Sequence, residues 1–150
     1  MTGEAGAGGT VERRTVVQSD GRAKAYRPMA AVDRRSALAA GLEAYDRGDV
    51  FLAHELLEPA WMGTDDIGER ELYQGLIKLA AAFVHGVRGN PPGIARNLEG
   101  SRALLDGARG ARVNGGLDLD DLIGSIDDRL ARLGRGETAI EPPTIRRTTR

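Results

Sequence analysis

ERELYQGLIKLAAAFVHGVRG, residues 69–89, is the stretch whose reading decides the fold. Leu72, Leu76, Leu79, Ala80 and Phe83 recur at steps of one, three and four, which gathers them on one side of a helix. No segment of the chain shows the period-two alternation of a half-buried strand convincingly. The neighbouring segments repeat the helical pattern. Asp33 can cap a helix running to about Arg47, with Leu38, Leu42 and Tyr45 at helical spacing and Gly48 as its stop. Asp49 can cap a second helix carrying Phe51, Leu52, His54, Leu57, Glu58 and Trp61. Pro59 falls inside it; the missing N–H frees the carbonyl of Glu55, so a kink or an end is expected nearby. The loop MGTDDIG follows, with Asp65 and Asp66 read as solvated.

Beyond residue 89, Asn90 is placed to cap a fourth helix whose first turn tolerates Pro91 and Pro92. Ile94, Leu98, Leu104 and Leu105 supply its buried face, and Gly107 or Gly110 ends it. Asp118 opens the last helix, where Leu122, Ile123, Ile126, Leu130 and Leu133 form a stripe. The expected fold is all-α: a single bundle of about five helices built from stacked helical hairpins. Residues 31–134 form the helical domain. Residues 1–30, rich in Gly and small and charged residues, read as a disordered tail with no element forced on VVQ. Residues 135–150 carry Pro142–Pro143 and no amphipathic pattern, and read as an extended tail, with Ile140 or Ile145 able to rest on the domain.

Composition bounds the function classes. A chain of 150 residues can bury a core without disulfides or a structural metal, and it has no cysteine, so cysteine-built zinc sites are excluded. No apolar run reaches the ~18 residues that span a bilayer, and no signal-like start is present, so a cytoplasmic protein without membrane contact is expected. The net charge of −1 hides basic tails: residues 1–36 carry +3, residues 134–150 carry +2 and the middle carries −6. No basic helix interleaved with aromatics accompanies them, which argues against a nucleic-acid partner.

Chemistry concentrates in HELLEPAW, residues 54–61, and in the helix that follows it. His54, Glu58 and Trp61 fall four and three residues apart, on one helical face. If this helix pairs antiparallel with the next, Gln74 and Lys78 bracket the level of His54. His85 sits about 13 Å further along at 1.5 Å per residue, within marginal reach because both imidazoles lean toward each other.

HELLEPAW followed by YQGLIKLAAAFVHGVRGNPPGIARNL resembles a known family. It is similar to the small all-helical proteins of domain-of-unknown-function family three hundred and nine. The shared pattern is His54, Glu58 and Trp61, then Gln74 to Ile77, then His85, then Gly89, Asn90 and Gly93, over about residues 31–110. The family usually places a second Gln where this chain has Lys78. The resemblance implies the helical fold and assigns no activity.

Three functional readings follow. The first is a polar pocket binding a small molecule or ion, with His54 and Glu58 at its centre and Trp61, Gln74, Lys78 and His85 as further ligand-binding residues. One possible guest is a divalent metal held by His54, Glu58 and His85, since imidazole and carboxylate suit zinc or a similar ion. The second is a hydrolase in which His54 and Glu58, as catalytic residues, activate water with or without such a metal. HELLE shares the opening His-Glu of the zincin motif, but Glu58 stands where its second His would be. The third is an interaction module, since residues 44–61 read like one tetratricopeptide hairpin, with only a faint echo one period later. Against all three stands a structural network in which His54, Glu58, Gln74 and His85 satisfy one another. There Trp61 is a core anchor bonded to the carbonyl that Pro59 frees.

Overall fold

A computed structural model describes residues 15–17, 23–84 and 90–148. Five helices follow one another: α1 (Ala31–Asp46), α2 (Val50–Met62), α3 (Ile67–Val84), α4 (Pro91–Gly110) and α5 (Leu119–Gly134). Each packs against the next in the chain, as the short connections of an all-α bundle require. Two three-residue strands, β1 (Thr15–Val17) and β2 (Ala23–Ala25), precede them and pair antiparallel with Val16 opposite Lys24. The sequence shows no strand alternation there; β-branched Thr15, Val16 and Val17 nonetheless favour extended backbone.

Three of the four side-chain caps expected from the sequence form. Asp49 accepts from the Leu52 N–H, Asn90 from Gly93 and Asp118 from Asp121. Asp33 does not cap α1. That helix opens two residues earlier, at Ala31, and Asp33 lies within the first turn, where a carboxylate still favours the positive end of the helix. The entry is fixed by backbone instead: Arg27 and Met29 donate to the Met62 and Gly63 carbonyls at the end of α2. Asp66 is not merely solvated either. Its carboxylate accepts the Glu69 N–H at 2.9 Å and caps α3, while its own N–H donates to Thr64 Oγ1.

Pro59 does not stop α2, which continues to Met62. Glu55 and Pro59 are both exposed, so the carbonyl that loses its donor lies on the side where water can hydrate it. The helical register is thereby kept from His54 through Trp61.

The core is built from Leu42, Leu57, Trp61, Leu72, Leu76, Leu79, Leu98, Leu105, Leu122 and Ile126, among others, each close to full burial. At the centre of the α3–α4 contact is Gly75. A Cβ there would lie 2.8 Å from Leu105 Cδ2, so the missing side chain lets α4 approach. Ser101, fully buried on α4, donates its hydroxyl to the Gly75 carbonyl at 2.7 Å and ties the two helices across that contact.

After α5 the chain runs extended back over the bundle. Pro143 and Ile145 are buried, Tyr45 donates its hydroxyl to the Pro143 carbonyl at 2.6 Å, and Leu117 pairs with Arg147 in an isolated bridge. Arg129 and Arg132 of α5 hold the Glu141 carboxylate at 3.1 and 3.3 Å. No helix among the described residues is long and apolar enough to cross a membrane.

Candidate functional site

The helical register of α2 puts His54, Glu58 and Trp61 along one face, and α3 turns Gln74, Ile77, Lys78 and Ala81 toward it. All seven residues line one small cavity, together with Asn97 of α4. Its volume is about 120 Å³. At about 30 Å³ per water, that is room for roughly four waters. Five of the six residues singled out from the sequence therefore share one site. The sixth, His85, lies outside the described residues, as does Gly89 of the family pattern.

Local packing explains how each side chain is held. Trp61 is 3% exposed and forms an apolar wall, while His54, Glu58, Gln74, Lys78 and Asn97 are all half-buried. Lys78 runs its stem across α4: a Cβ at Gly100 would meet Lys78 Cδ at 2.9 Å. Its aliphatic carbons are thus packed against α4, and the residue also lines the cavity. Asn97 donates its Nδ2 to the Gly93 carbonyl at 3.1 Å, which fixes the amide plane and leaves Oδ1 as an acceptor. A second cavity of about 130 Å³, lined by Asn90, Gly93, Arg96 and others, shares Ala81 and Asn97 with the first. The polar region thereby extends toward the start of α4.

Four of the lining side chains, His54, Trp61, Gln74 and Lys78, have no hydrogen-bond or ion-pair partner among the described residues. The expected bond from the Trp61 indole to the carbonyl freed by Pro59 is not formed. Half-buried donors and acceptors without protein partners are the groups that a guest or water must satisfy.

The donors bear on the metal reading as well. Among the described residues no group of three or more His, Cys, Asp and Glu is placed to hold a metal ion. His54 and Glu58 supply two such donors to the cavity. What the site offers is mixed polarity on a small scale: an ammonium, an imidazole, a carboxylate, two amides and an indole N–H around a narrow space.

Asn97 is the polar lining residue that sequence reasoning missed. No local signal marks it: it comes from α4, whose approach to α3 depends on the close contact at Gly75.

No curated protein and no solved structure matches the chain. Residues 38–97, from the middle of α1 to Asn97, match the family described as Domain of unknown function (DUF309). The segment that builds the cavity is thus the part of the chain that is similar to DUF309, the family that the His54–Glu58–Trp61 and Gln74–Ile77 pattern resembles.

Proposed function

We propose that the chain binds a small polar molecule or ion in the cavity between α2, α3 and α4. One observation carries this reading: His54, Trp61, Gln74 and Lys78 converge on one space without partners among the described residues. A matching guest supplies to these groups the hydrogen bonds that they otherwise make to water. The volume limits the guest to a fragment of a few heavy atoms, well below the ~300 Å³ at which drug-sized sites begin. Lys78 favours an anionic group on that guest, and a small carboxylate fits.

The test is calorimetric titration of the full chain with acetate, glycine, phosphate and zinc chloride in turn. One of these is expected to bind saturably with one site, and Lys78→Met and Gln74→Leu are expected to weaken it at least tenfold while the fold is kept. Saturable binding of zinc, lost in His54→Ala, would assign the ion. Absence of saturable binding by all four, or binding unaffected by the variants, would overturn the reading.

A further inference from the structure

A larger opening lies away from this cavity, between the first three turns of α1, the start of α3, the α4–α5 loop and the C-terminal segment. It has a volume of about 370 Å³ and a floor of Leu38, Leu42 and Leu72, with Arg34, Arg35 and Arg147 around it. None of its lining residues belongs to the His54 cavity. Its size, room for roughly twelve waters, falls within the range of small-molecule sites.

The charges around it are not equally available. Glu69, the one acidic lining residue, is fully engaged: Arg34 holds it in a fork at 2.7 and 3.3 Å, and Tyr73 donates its hydroxyl to it at 3.3 Å. Arg34 is therefore neutralised in place. Arg147 spends part of its fork on Asp46 at 2.9 Å and on the Ile145 carbonyl, leaving other N–H donors. Arg35 has no ion pair among the described residues. The balance is an apolar floor with about one uncompensated guanidinium charge at its edge.

We propose that this groove binds a short-chain amphiphilic carboxylate, its aliphatic chain on the leucine floor and its carboxylate taken by Arg35, with Arg147 beside it. A neutral apolar guest would leave the Arg35 charge without a partner, and a bare inorganic anion would make no use of the apolar lining, to which Ala31, Ala39 and Val113 contribute beside the leucines. A chain of about eight carbons suits the volume. Each methylene laid on the floor strengthens binding about fourfold.

Calorimetry of the full chain with octanoate, hexanoate, 1-octanol and sulfate tests this. Octanoate should bind at one site, at least tenfold tighter than hexanoate and 1-octanol, with sulfate not saturating. Arg35→Gln, an exposed change, should weaken octanoate about tenfold and leave 1-octanol unchanged. Ala39→Trp, which fills the groove from the exposed side of α1, should abolish both; helical circular dichroism checks that this variant stays folded. Octanoate no tighter than 1-octanol, no dependence on chain length, or binding that survives Arg35→Gln or Ala39→Trp in a folded protein would overturn the proposal. Gln74→Leu and Lys78→Met should leave octanoate binding unchanged, which separates this site from the other cavity.

Discussion

Replacing Gly75 by alanine tests the packing that holds the polar cavity together. The added Cβ would lie 2.8 and 2.9 Å from Leu105 Cδ2 and Cγ, and 3.3 Å from Leu104 Cβ. Carbon pairs rest at about 3.5–4.0 Å, so α4 or Leu105 must retreat by roughly 1 Å. Leu105 is fully buried and has no open space to enter. Overpacking of this kind costs about 1–3 kcal/mol, and the better helix propensity of alanine returns about 0.5–1 kcal/mol. The net expectation is a loss of about 1–2 kcal/mol, or roughly 3–6 °C in Tm for a chain of this size. Gly124→Ala is the control. Gly124 lies exposed inside α5 with no atom within 4 Å of an added Cβ, so the same chemistry should raise stability by about 0.5–1 kcal/mol. Urea denaturation and thermal melts of both variants would measure this. If Gly75→Ala stabilises as Gly124→Ala does, α3 and α4 are not in the close contact on which the cavity depends.

Other expectations concern the C-terminal segment and the helix contacts. Tyr45→Phe removes the hydroxyl bonded to Pro143 and leaves a buried carbonyl unpaired; a loss of about 1–3 kcal/mol and faster proteolysis after residue 135 should follow. Burial pushes the Tyr45 hydroxyl well above its usual 10.0, so the unfolded chain loses that proton first. Stability should be intact below pH 10 and fall as the pH rises further, less steeply in Tyr45→Phe, as alkaline melts would show. Hydrogen bonds from Arg132 hold the Glu137 and Glu141 carboxyls below the usual 4.5. Their contribution is complete above that value and is lost as the pH falls through the lowered ones, so the protection of residues 137–148 against hydrogen exchange, relative to the intrinsic rate at each pH, should fall in acid. Ser101→Ala should cost about 1 kcal/mol through the lost bond to Gly75.

The helices were legible because each carries its own local signal. Asp49, Asn90 and Asp118 each read as caps and act as caps, and the stripe from Leu72 to Phe83 is buried. Where a cap is replaced by tertiary contacts, the local reading fails. α1 starts at Ala31 because the backbone of residues 27–29 is bonded to the end of α2, which no pattern near Asp33 reveals. The continuation of α2 past Pro59 depends on the exposure of that side of the helix, again a property of the assembled fold. The convergence of His54, Glu58, Gln74 and Lys78 could be read from helix periodicity and the pairing of two consecutive helices. Asn97 could not, because it comes from a third helix whose approach is set by Gly75. The arginine-edged groove had no sequence signature at all. Its floor and rim come from α1, α3, the α4–α5 loop and the C-terminal segment, far apart in the chain.

Trp61 is the only tryptophan in the chain and lines the polar cavity, so its indole N–H gives a single nuclear magnetic resonance signal that reports on the site directly. Titrating the chain with acetate, glycine, phosphate and zinc should move that signal saturably for at least one of them, and Lys78→Met should suppress the movement. A signal that stays fixed through all four titrations, or that moves equally in the variant, would contradict the claim that these side chains form a binding site.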